Sequence, residues 1–321
     1  MVNIIKIWPY ASAVLSLYII KRYFAGGVCQ HEPDLTDKVI IVTGGTTGIG
    51  KEVATVLAER GARVIICSRD EVRGTKVCFE ILKSTGNPNI YFFYLDLNSF
   101  SSIREFSRAI HERFDAIYAL VNNAGVFYHP FVQTEDDFDV TFQTNYLGPF
   151  LLTHLLLNII RASGNGRIVN VSSEAHRYLH ILNPRYVDEL GTRSNNRFIA
   201  YAASKACLQL FTYKLSQTLS DCGVTANDAN PGNVKTQILD GYFKTYHPLL
   251  LKLQTPLRWL LIKTPRQGAQ TILHLLLSPD LQDTTGKYFT DCKECDPCPL
   301  TRNQELAEQL WIRSLAWINK K

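Results

Sequence analysis

A glycine-rich stretch between a predicted strand and a predicted helix constrains the fold of this chain most strongly. The apolar run Val39–Val42 predicts a short buried strand, Thr43-Gly-Gly-Thr-Thr-Gly-Ile-Gly50 follows it directly, and Lys51–Arg60 has a helical pattern. Glycines at this place let the backbone turn tightly and approach a pyrophosphate. The start of the following helix offers free N–H groups and a positive dipole end to the anion. The pattern therefore predicts a dinucleotide-binding loop. The cofactor contacts expected from it are Gly44, Thr46, Gly48, Ile49 and Gly50.

Apolar runs of strand length alternate with helical patterns along the rest of the chain. Val64–Cys67 and Ile90–Leu95 are two such strand patterns, and the longest predicted helix runs from Phe138 to Ile160. Continuous apolar strands alternating with helices are typical of a parallel sheet that is covered on both faces. We therefore predict one α/β domain over residues 38–321. Its expected fold is a Rossmann-like, doubly wound parallel sheet of about seven strands.

The end of the second predicted strand discriminates between the two nicotinamide cofactors. An acidic residue there accepts hydrogen bonds from the ribose hydroxyls of NAD(H). This chain instead has Ser68-Arg69 before Asp70, and the planar guanidinium of an arginine can pair with the 2′-phosphate of NADP(H). The sequence therefore favours NADP(H). In the alternative, Arg69 is a solvated loop residue, Asp70 binds the ribose, and NAD(H) is the cofactor.

Polar and small residues end the third and fourth predicted strands. Asp96 follows the third strand at the carboxyl edge of the sheet, where the adenine of a dinucleotide would lie. Asn122-Asn-Ala-Gly125 ends the fourth strand, where the backbone must pass close to the cofactor. The cofactor contacts expected from these two ends are Asp96, Asn123, Ala124 and Gly125.

A tyrosine and a lysine lie four residues apart in Tyr201-Ala-Ala-Ser-Lys205. On a helix this spacing places both side chains on one face, about one turn apart. A free phenol has a pKa of about 10, and a nearby ammonium group stabilises the phenolate and lowers that value. The pair is therefore suited to proton transfer near neutral pH. Taken alone, the spacing is more typical of a partly buried tyrosine and a solvated lysine on an ordinary helix.

The N-terminal segment differs in composition from the rest of the chain. Ile4–Phe24 is almost entirely apolar or aromatic, with only Lys6, Lys21 and Arg22 charged. Its uncharged core is shorter than the roughly 20 residues that span a bilayer, although the lysines can extend their ammonium groups to the interface. We expect residues 1–25 to be a membrane anchor and residues 26–37 to be a linker. The alternative is a soluble N-terminal helix.

Together these motifs resemble those of the short-chain dehydrogenase/reductase family. The segments that carry the resemblance are Thr43–Gly50, Asn122–Gly125, Asn145, Ile168–Ser173, Tyr201–Lys205 and Pro231-Gly232. A closer likeness is to the microsomal branch that includes retinol dehydrogenases 11 to 14. The segments that carry this closer likeness are the N-terminal segment, Ser68–Asp70, Lys263–Ala269, Gly286–Cys292 and Leu310-Trp311.

The resemblance implies roles for individual residues of this chain. It makes Tyr201 the general acid in reduction and the base in oxidation, and Lys205 the residue that lowers the pKa of Tyr201 and holds the nicotinamide ribose. It makes Ser173 a hydrogen-bond donor to the substrate oxygen. It gives Asn145 a water that connects Lys205 to solvent. The residues that it adds to the cofactor site are Tyr201, Lys205, Pro231 and Gly232.

The resemblance also implies an activity and a cellular setting. We expect an NADP(H)-dependent oxidoreductase that interconverts a small lipophilic alcohol and its aldehyde or ketone, with retinol and retinal as the leading pair. One alternative is a broader lipid or polyprenoid carbonyl reductase, and another is a non-catalytic nucleotide-binding scaffold on membranes. The expected location is the endoplasmic reticulum or another intracellular membrane, with the catalytic domain in the cytosol. A homodimer is left open.

The substrate side of the sequence is apolar and departs from the family pattern at two positions. Residues 241–265 are rich in leucine and aromatic residues. This composition favours a lid over an apolar substrate pocket, or a segment that lies against a bilayer. An ordinary lid packed on the core is the alternative. Asp228 lies in a predicted strand that should be apolar, and Asn230 stands where this branch commonly has histidine.

Charge and cysteine spacing argue against two other kinds of site. The net charge is +5, and its lysines and arginines are scattered, so we expect no nucleic-acid partner. Cys292-x-x-Cys295-x-x-Cys298 offers three thiols without a histidine nearby in the sequence, whereas a structural zinc site has four ligands. We therefore expect no metal site.

Overall fold

The computed structural model describes residues 4–181, 196–219, 222–236 and 259–319. Helices and strands are numbered along these residues. The strands are β1 (Val39–Thr43), β2 (Arg63–Ser68), β3 (Ile90–Tyr94), β4 (Ala119–Asn122), β5 (Arg167–Val171), β6 (Thr225–Asn230), β7 (Tyr288–Thr290) and β8 (Lys293–Cys295). The helices are α1 (Ile4–Ala25), α2 (Gly48–Glu59), α3 (Glu71–Thr85), α4 (Phe100–Arg113), α5 (Val140–Phe142), α6 (Gly148–Arg161), α7 (Arg197–Thr218), α8 (Pro265–Leu277) and α9 (Gln304–Ile318).

The strands form one sheet in the order β3-β2-β1-β4-β5-β6-β7-β8. Neighbouring strands from β3 to β7 pair in parallel, which confirms the predicted doubly wound α/β fold. The eighth strand, β8, pairs antiparallel with β7. It was not predicted because it has only three residues and is largely exposed, so it shows no apolar run.

Helices cover both faces of the sheet. Helices α4, α6, α7 and α9 pack on one face, where the buried rings of Phe150 and Phe211 contact each other and Trp311. Helices α2, α3 and α8 pack on the other face, against Ile40, Val64 and Ile66. The chain reverses sides between β1 and β4, so the carboxyl ends of these strands open onto a crevice.

The long predicted helix over 138–160 is interrupted in the structure. It consists of the short helix α5, a π-helical turn over Gln143–Leu147, and α6. Pro149 lies in the first turn of α6 and has no N–H to donate, which favours a change of hydrogen-bond register just before it. The π turn carries Asn145.

Helix α1 precedes the domain and contacts it near its C-terminal end. The Lys21 ammonium donates to the backbone oxygens of Trp259 and Ile262. The chain then passes Gly26 beside Asp291, whose carboxylate pairs with Lys263. None of the helices in the described part of the chain combines the length and the apolar character needed to cross a membrane. Most of the predicted lid over 241–265 lies outside the described residues.

Candidate active site

The backbone of the glycine-rich turn after β1 strongly favours glycine at three positions. Gly44 and Gly48 have φ angles of +64° and +54°, in the left-handed region that L-residues with a Cβ rarely adopt. At Gly50, a Cβ atom would lie 2.5 Å from the carbonyl oxygen of Gly44. The turn is therefore a cradle of bare backbone at the start of α2.

Side chains from the ends of β1 and β4 hold this cradle in place. The Thr43 hydroxyl oxygen accepts from the backbone N–H groups of Asn123 (2.9 Å) and Ala124 (3.0 Å). The Asn123 side-chain amide donates back to the Thr43 carbonyl oxygen at 2.8 Å. Thr43 was not among the predicted site residues, although its place immediately before the first glycine could have indicated it.

A cleft of about 650 Å³ runs along the carboxyl edge of the sheet. The predicted cofactor contacts that line it are Gly44, Gly48, Ile49, Gly50, Arg69, Asp96, Asn123, Ala124, Gly125, Tyr201, Lys205, Pro231 and Gly232. Thr46 is buried away from the cleft, and its neighbour Thr47 lines it instead. The structure thus gathers residues from five strand ends around one space of the size that a dinucleotide and a substrate need.

At the end of β2, Asp70 is engaged with the start of α3, whereas Arg69 lies at the cleft. Asp70 caps α3, because one carboxylate oxygen accepts from the Arg73 N–H at 2.9 Å and the other pairs with its Nε at 3.3 Å. Arg69 is exposed at the rim of the cleft and makes no hydrogen bond or ion pair with the described residues. The guanidinium of Arg69 is therefore available to an anion, whereas the Asp70 carboxylate is engaged.

Ser173, Tyr201 and Lys205 come together on the opposite wall of the cleft. Ser173 follows β5, and its hydroxyl oxygen accepts from the Ala175 N–H at 3.2 Å. Lys205 lies one turn further along α7, with its Nζ 5.9 Å from the centre of the Tyr201 ring. The same Nζ donates to the Val171 carbonyl oxygen at 2.7 Å.

The pKa shifts of the tyrosine and the lysine differ from the expectation that Lys205 depresses the pKa of Tyr201. Burial raises the pKa of Tyr201, and only the hydrogen bond from Ser173 opposes it. Lys205 lies over the face of the ring and donates to the Val171 oxygen, and its charge is not among the causes of the shift in the Tyr201 pKa. Burial lowers the pKa of Lys205 to about 8, although Asp228 opposes this shift.

Asn145 is buried behind the cleft and uses its side chain to position the backbone. Its Oδ1 accepts from the Val126 N–H at 2.8 Å, and its Nδ2 donates to the Val126 oxygen at 2.9 Å and to the Ser204 hydroxyl at 3.0 Å. A Cβ atom at Gly125 would lie 3.1 Å from Asn145 Oδ1 and 3.6 Å from Lys205 Nζ. Asn145 and Lys205 therefore approach the same glycine, and the water-mediated proton route between them stays a prediction.

The two departures from the family pattern both have partners in the structure. Asp228 is buried, and its Oδ1 accepts from the Thr212 hydroxyl at 2.8 Å. Burial raises the pKa of Asp228 to about 8, and Thr212, Arg302 and Lys205 oppose the shift. Asn230 donates to Glu174, which directly follows Ser173 and lines the cleft. Sequence reasoning did not single out Glu174, because nothing in its local pattern shows its distant partners.

The cysteine triplet in the C-terminal segment is engaged in other contacts. Contrary to its spacing in the sequence, a histidine does lie beside it: the Cys298 N–H donates to His176 Nε2 at 3.1 Å. The other ring nitrogen is bonded to the Ser173 carbonyl oxygen at 2.6 Å. Within the described ranges, no group of three or more potential metal ligands is present.

Comparison with known proteins gives several close matches over nearly the whole chain. A family model described as short chain dehydrogenase matches residues 38–187 and 189–247. Retinol dehydrogenase 12 of Bos taurus is 41% identical over 292 residues, which cover 91% of this chain and 90% of that protein. Human retinol dehydrogenase 13 is 39% identical, with 92% of this chain and 89% of that protein covered. Human polyprenol dehydrogenase is 38% identical over 317 residues, with 97% and 94% covered.

Solved structures show the same fold with a nicotinamide cofactor bound. A short chain dehydrogenase from Escherichia coli CFT073, complexed with NADPH, is similar with a TM-score of 0.63 and 26% identity, and 80% of this chain and 98% of that chain are covered. A variant of actinorhodin polyketide ketoreductase with NADPH gives a TM-score of 0.63 at 25% identity, with 79% and 95% covered. The bare-backbone cradle and the free Arg69 guanidinium fit such a cofactor in this chain.

Proposed function

Because this chain belongs to the short-chain dehydrogenase family, we propose that it interconverts a lipophilic alcohol and its aldehyde or ketone, with a preference for NADP(H). Members of this family are oxidoreductases that act on alcohols. The observation that carries the proposal is the meeting of Ser173, Tyr201 and Lys205 on one wall of a cleft whose other wall is a glycine cradle. Retinol and retinal are the leading substrate pair, since relatives named retinol dehydrogenase match over nine-tenths of the chain.

The side chains of this wall perform the proton chemistry of the proposed reaction. NADP(H), when bound, supplies or accepts the hydride. The hydroxyls of Ser173 and Tyr201 bind the substrate oxygen, and Tyr201 donates the proton in reduction or removes it in oxidation. Both residues line the same cleft, and hydrogen bonding to Ser173 acts to lower the pKa of Tyr201. Lys205, with a pKa of about 8, is mainly protonated at neutral pH and can return a proton to the tyrosine.

The preference for NADP(H) rests on the contrast between Arg69 and Asp70. In the Arg69→Gln variant the dissociation constant for NADPH should rise about ten- to a hundred-fold, because one charge-assisted contact to the 2′-phosphate is lost. The dissociation constant for NADH should change little. Quenching of tryptophan fluorescence by each cofactor measures both values. Equal losses of affinity for NADPH and NADH would show that Arg69 does not contact the 2′-phosphate.

Membrane attachment through residues 1–25 is the second part of the proposal. The successive side chains of Leu17, Tyr18, Ile19 and Ile20 are all exposed, although they point in different directions around α1. Contact with lipid would remove this apolar area from water. We propose an intracellular membrane, the endoplasmic reticulum first, with the catalytic domain in the cytosol and no nucleic-acid partner. Fractionation of cells that express residues 26–321 tests this, because attachment elsewhere would keep the shortened chain on membranes.

A comparison of substrates distinguishes the proposed activity from its alternatives. Purified full-length protein with NADPH should reduce all-trans-retinal faster than a polyprenal or a long saturated aldehyde. Polyprenal is the second candidate, because the match to human polyprenol dehydrogenase extends over 97% of the chain. A preference for polyprenal would make the polyprenoid the substrate. Tight NADPH binding without turnover of any of the three would favour the non-catalytic scaffold.

A further inference from the structure

The residue after the catalytic serine is held by donors from three parts of the fold. Glu174 lines the cleft beside Ser173. Its Oε1 accepts from the Tyr288 hydroxyl at 2.6 Å and from the Asn230 side-chain amide at 3.3 Å. Its Oε2 pairs with Arg177 Nε at 2.7 Å. One carboxylate thus joins the ends of β5, β6 and β7.

The contacts of Asn230 connect Glu174 to the cofactor side of the cleft. Asn230 is 3% exposed, and its Oδ1 accepts from the Gly232 N–H at 3.1 Å. Its Nδ2, which donates to Glu174, also donates to the Thr290 hydroxyl at 3.2 Å. The position of Gly232 therefore depends on an amide that the Glu174 carboxylate helps to orient.

The contacts of His176 connect Tyr288 to the serine side. His176 is completely buried, and its Nδ1 is bonded to the Ser173 carbonyl oxygen at 2.6 Å. Because its Nε2 accepts from the Cys298 N–H, the proton must lie on Nδ1, which donates to Ser173. The ring also packs edge-to-face on Tyr288 at 5.1 Å. Tyr288 therefore contacts both residues that fix the turn after Ser173.

The main chain does not set the distance between these two turns. β5 and β6 pair as far as Val171 and Ala229, and the Ser172 N–H then donates to the Ala229 oxygen at 2.8 Å. Ser173 and Gly232 lie beyond this last ladder bond. Side chains must therefore hold them at the separation that the substrate oxygen and the nicotinamide end of the cofactor require.

The carboxylate stays ionised in this position. Burial acts to raise the pKa of Glu174, but hydrogen bonds from Tyr288 and Arg177 outweigh it and hold the pKa below its ordinary value. The charged form is the one that accepts all three donors, and hydrogen bonds to a charged acceptor are the stronger kind. Burial also raises the pKa of Tyr288 far above its ordinary value, so the phenol keeps the proton that it donates.

We propose that Glu174 is a positioning residue that holds the Ser173 turn and the Asn230–Gly232 turn in a fixed relation across the reacting atoms. The inference rests on the proposed function, because it assigns Ser173 to the substrate oxygen and Gly232 to the cofactor. A displacement of about 1 Å at such a site costs on the order of a hundred-fold in rate. Glu174 itself transfers no proton, since its lone pairs are directed at Tyr288, Asn230 and Arg177.

The test compares Glu174→Ala, Glu174→Gln and Tyr288→Phe in the full-length protein. Glu174→Ala should lower kcat about ten- to a hundred-fold, change KM for the aldehyde less than about three-fold, and raise the NADPH dissociation constant about three-fold. Glu174→Gln keeps an oxygen acceptor at the same place and should restore most of the lost rate. Tyr288→Phe should lower kcat less, and should add nothing to Glu174→Ala in the double variant.

A matched control comes from the other carboxylate of this edge of the sheet. Glu294 on β8 pairs with Lys287 at 2.7 Å, and its side chain is 49% exposed, as is that of Glu174. Glu294→Ala should leave kcat, KM and NADPH affinity unchanged. This substitution removes a comparable ion pair from the same edge of the sheet, but it leaves the Ser173 turn and the Asn230–Gly232 turn untouched.

Several outcomes would overturn the positioning role. These are a kcat of Glu174→Ala within two-fold of wild type, an equal loss in Glu174→Gln, or a loss that matches a drop in the folded fraction measured by circular dichroism. If the wild-type protein turns over no aldehyde, the proposed function fails instead. In that case the NADPH titration still decides, because an unchanged dissociation constant in Glu174→Ala would contradict the link to Gly232.

Discussion

Strands β1 and β6 are both buried along their whole length, yet β1 reads Val-Ile-Ile-Val-Thr and β6 reads Thr-Ala-Asn-Asp-Ala-Asn. The apolar side chains of β1 need only shape and burial. The polar side chains of β6 each need a specific partner. Asn227, for example, donates to the Thr284 oxygen at 2.6 Å and accepts from the Lys287 N–H at 3.0 Å.

The difference between the strands separates the two halves of the site. On the β1 side, bare backbone forms the cradle for the cofactor, so the essential property is the absence of a side chain. On the β6 side, hydrogen-bonded side chains connect the Ser173 turn with the Asn230–Gly232 turn. Buried polar networks of this kind fix one geometry because each unpaired member is costly. We therefore expect substitutions that add a methyl group to impair the β1 side of the site. Substitutions that remove a polar atom should impair the β6 side.

Removal of the phenol hydroxyl should give the largest effect. Tyr201→Phe should lower kcat by about 10²- to 10⁴-fold, because the general acid and base is lost. NADPH affinity should stay within about two-fold, since the glycine cradle is untouched. Stopped-flow turnover and fluorescence titration of the same preparation give both numbers. A variant that keeps near wild-type turnover would contradict the assignment of Tyr201.

An added methyl group at Gly50 should give the next largest effect. In Gly50→Ala the new Cβ would meet the Gly44 carbonyl oxygen at 2.5 Å, and such overpacking costs about 1–3 kcal/mol. We expect NADPH affinity to fall at least about ten-fold. Gly86→Ala is the control for NADPH affinity: it strains a left-handed turn, with φ of +73°, but Gly86 does not line the cleft, and no heavy atom lies within 4 Å of a Cβ there. Unchanged NADPH affinity in Gly50→Ala would show that the cradle tolerates a side chain.

The carboxyl of Asp228 should make stability depend on pH. Burial raises its pKa to about 8, above the ordinary value of 3.8. As the pH rises from about 4 to 8 the unfolded chain loses this proton while the folded chain keeps it, so the folded state loses stability. Asp228→Asn should therefore gain on the order of 4 kcal/mol over wild type between pH 5 and pH 8.

Urea unfolding of the full-length protein in mild detergent measures this change. The exposed Asp280 serves as control, because Asp280→Asn should shift the free energy of unfolding equally at both pH values. Parallel curves for wild type and Asp228→Asn would mean that Asp228 is ionised in the folded protein.

Metal removal should give the smallest effect. Both ring nitrogens of His176 are used within the protein, and the Cys298 side chain is completely buried. Incubation with a strong zinc chelator should therefore leave turnover and the midpoint of thermal unfolding unchanged. A fall in either quantity would point to a metal at the cysteine segment.

The sequence predicts the β1 half of the site better than the β6 half. The glycine cradle is local, so Gly44, Gly48 and Gly50 could be identified from their order along the chain. The parallel sheet also follows from continuous apolar strands. The exception in this loop is Thr46, which was predicted to line the cleft, whereas its neighbour Thr47 lines it.

The contacts of the β6 half join residues that are far apart in the chain. Glu174 and Tyr288 are 114 positions apart, and Glu174 and Asn230 are 56 apart. No local pattern reveals such pairs, so Asp228 and Asn230 could be noticed only as departures from a family. The pKa of Tyr201 was also predicted in the wrong direction. Spacing along α7 indicates that Lys205 is near, but it does not show that its ammonium turns towards Val171.

The position of Asn145 depends on the number of residues in the π-helical turn that carries it. A π turn contains one residue more than the α-helical turn that it replaces, and each residue advances a helix by about 100°. Deletion of one residue between Gln143 and Leu147 would convert this turn into an ordinary α-helical turn, so the side chains before and after it would keep their present faces. The residues inside the turn would be displaced, and Asn145 would lose its present partners. This short stretch should therefore tolerate many substitutions better than it tolerates a single deletion.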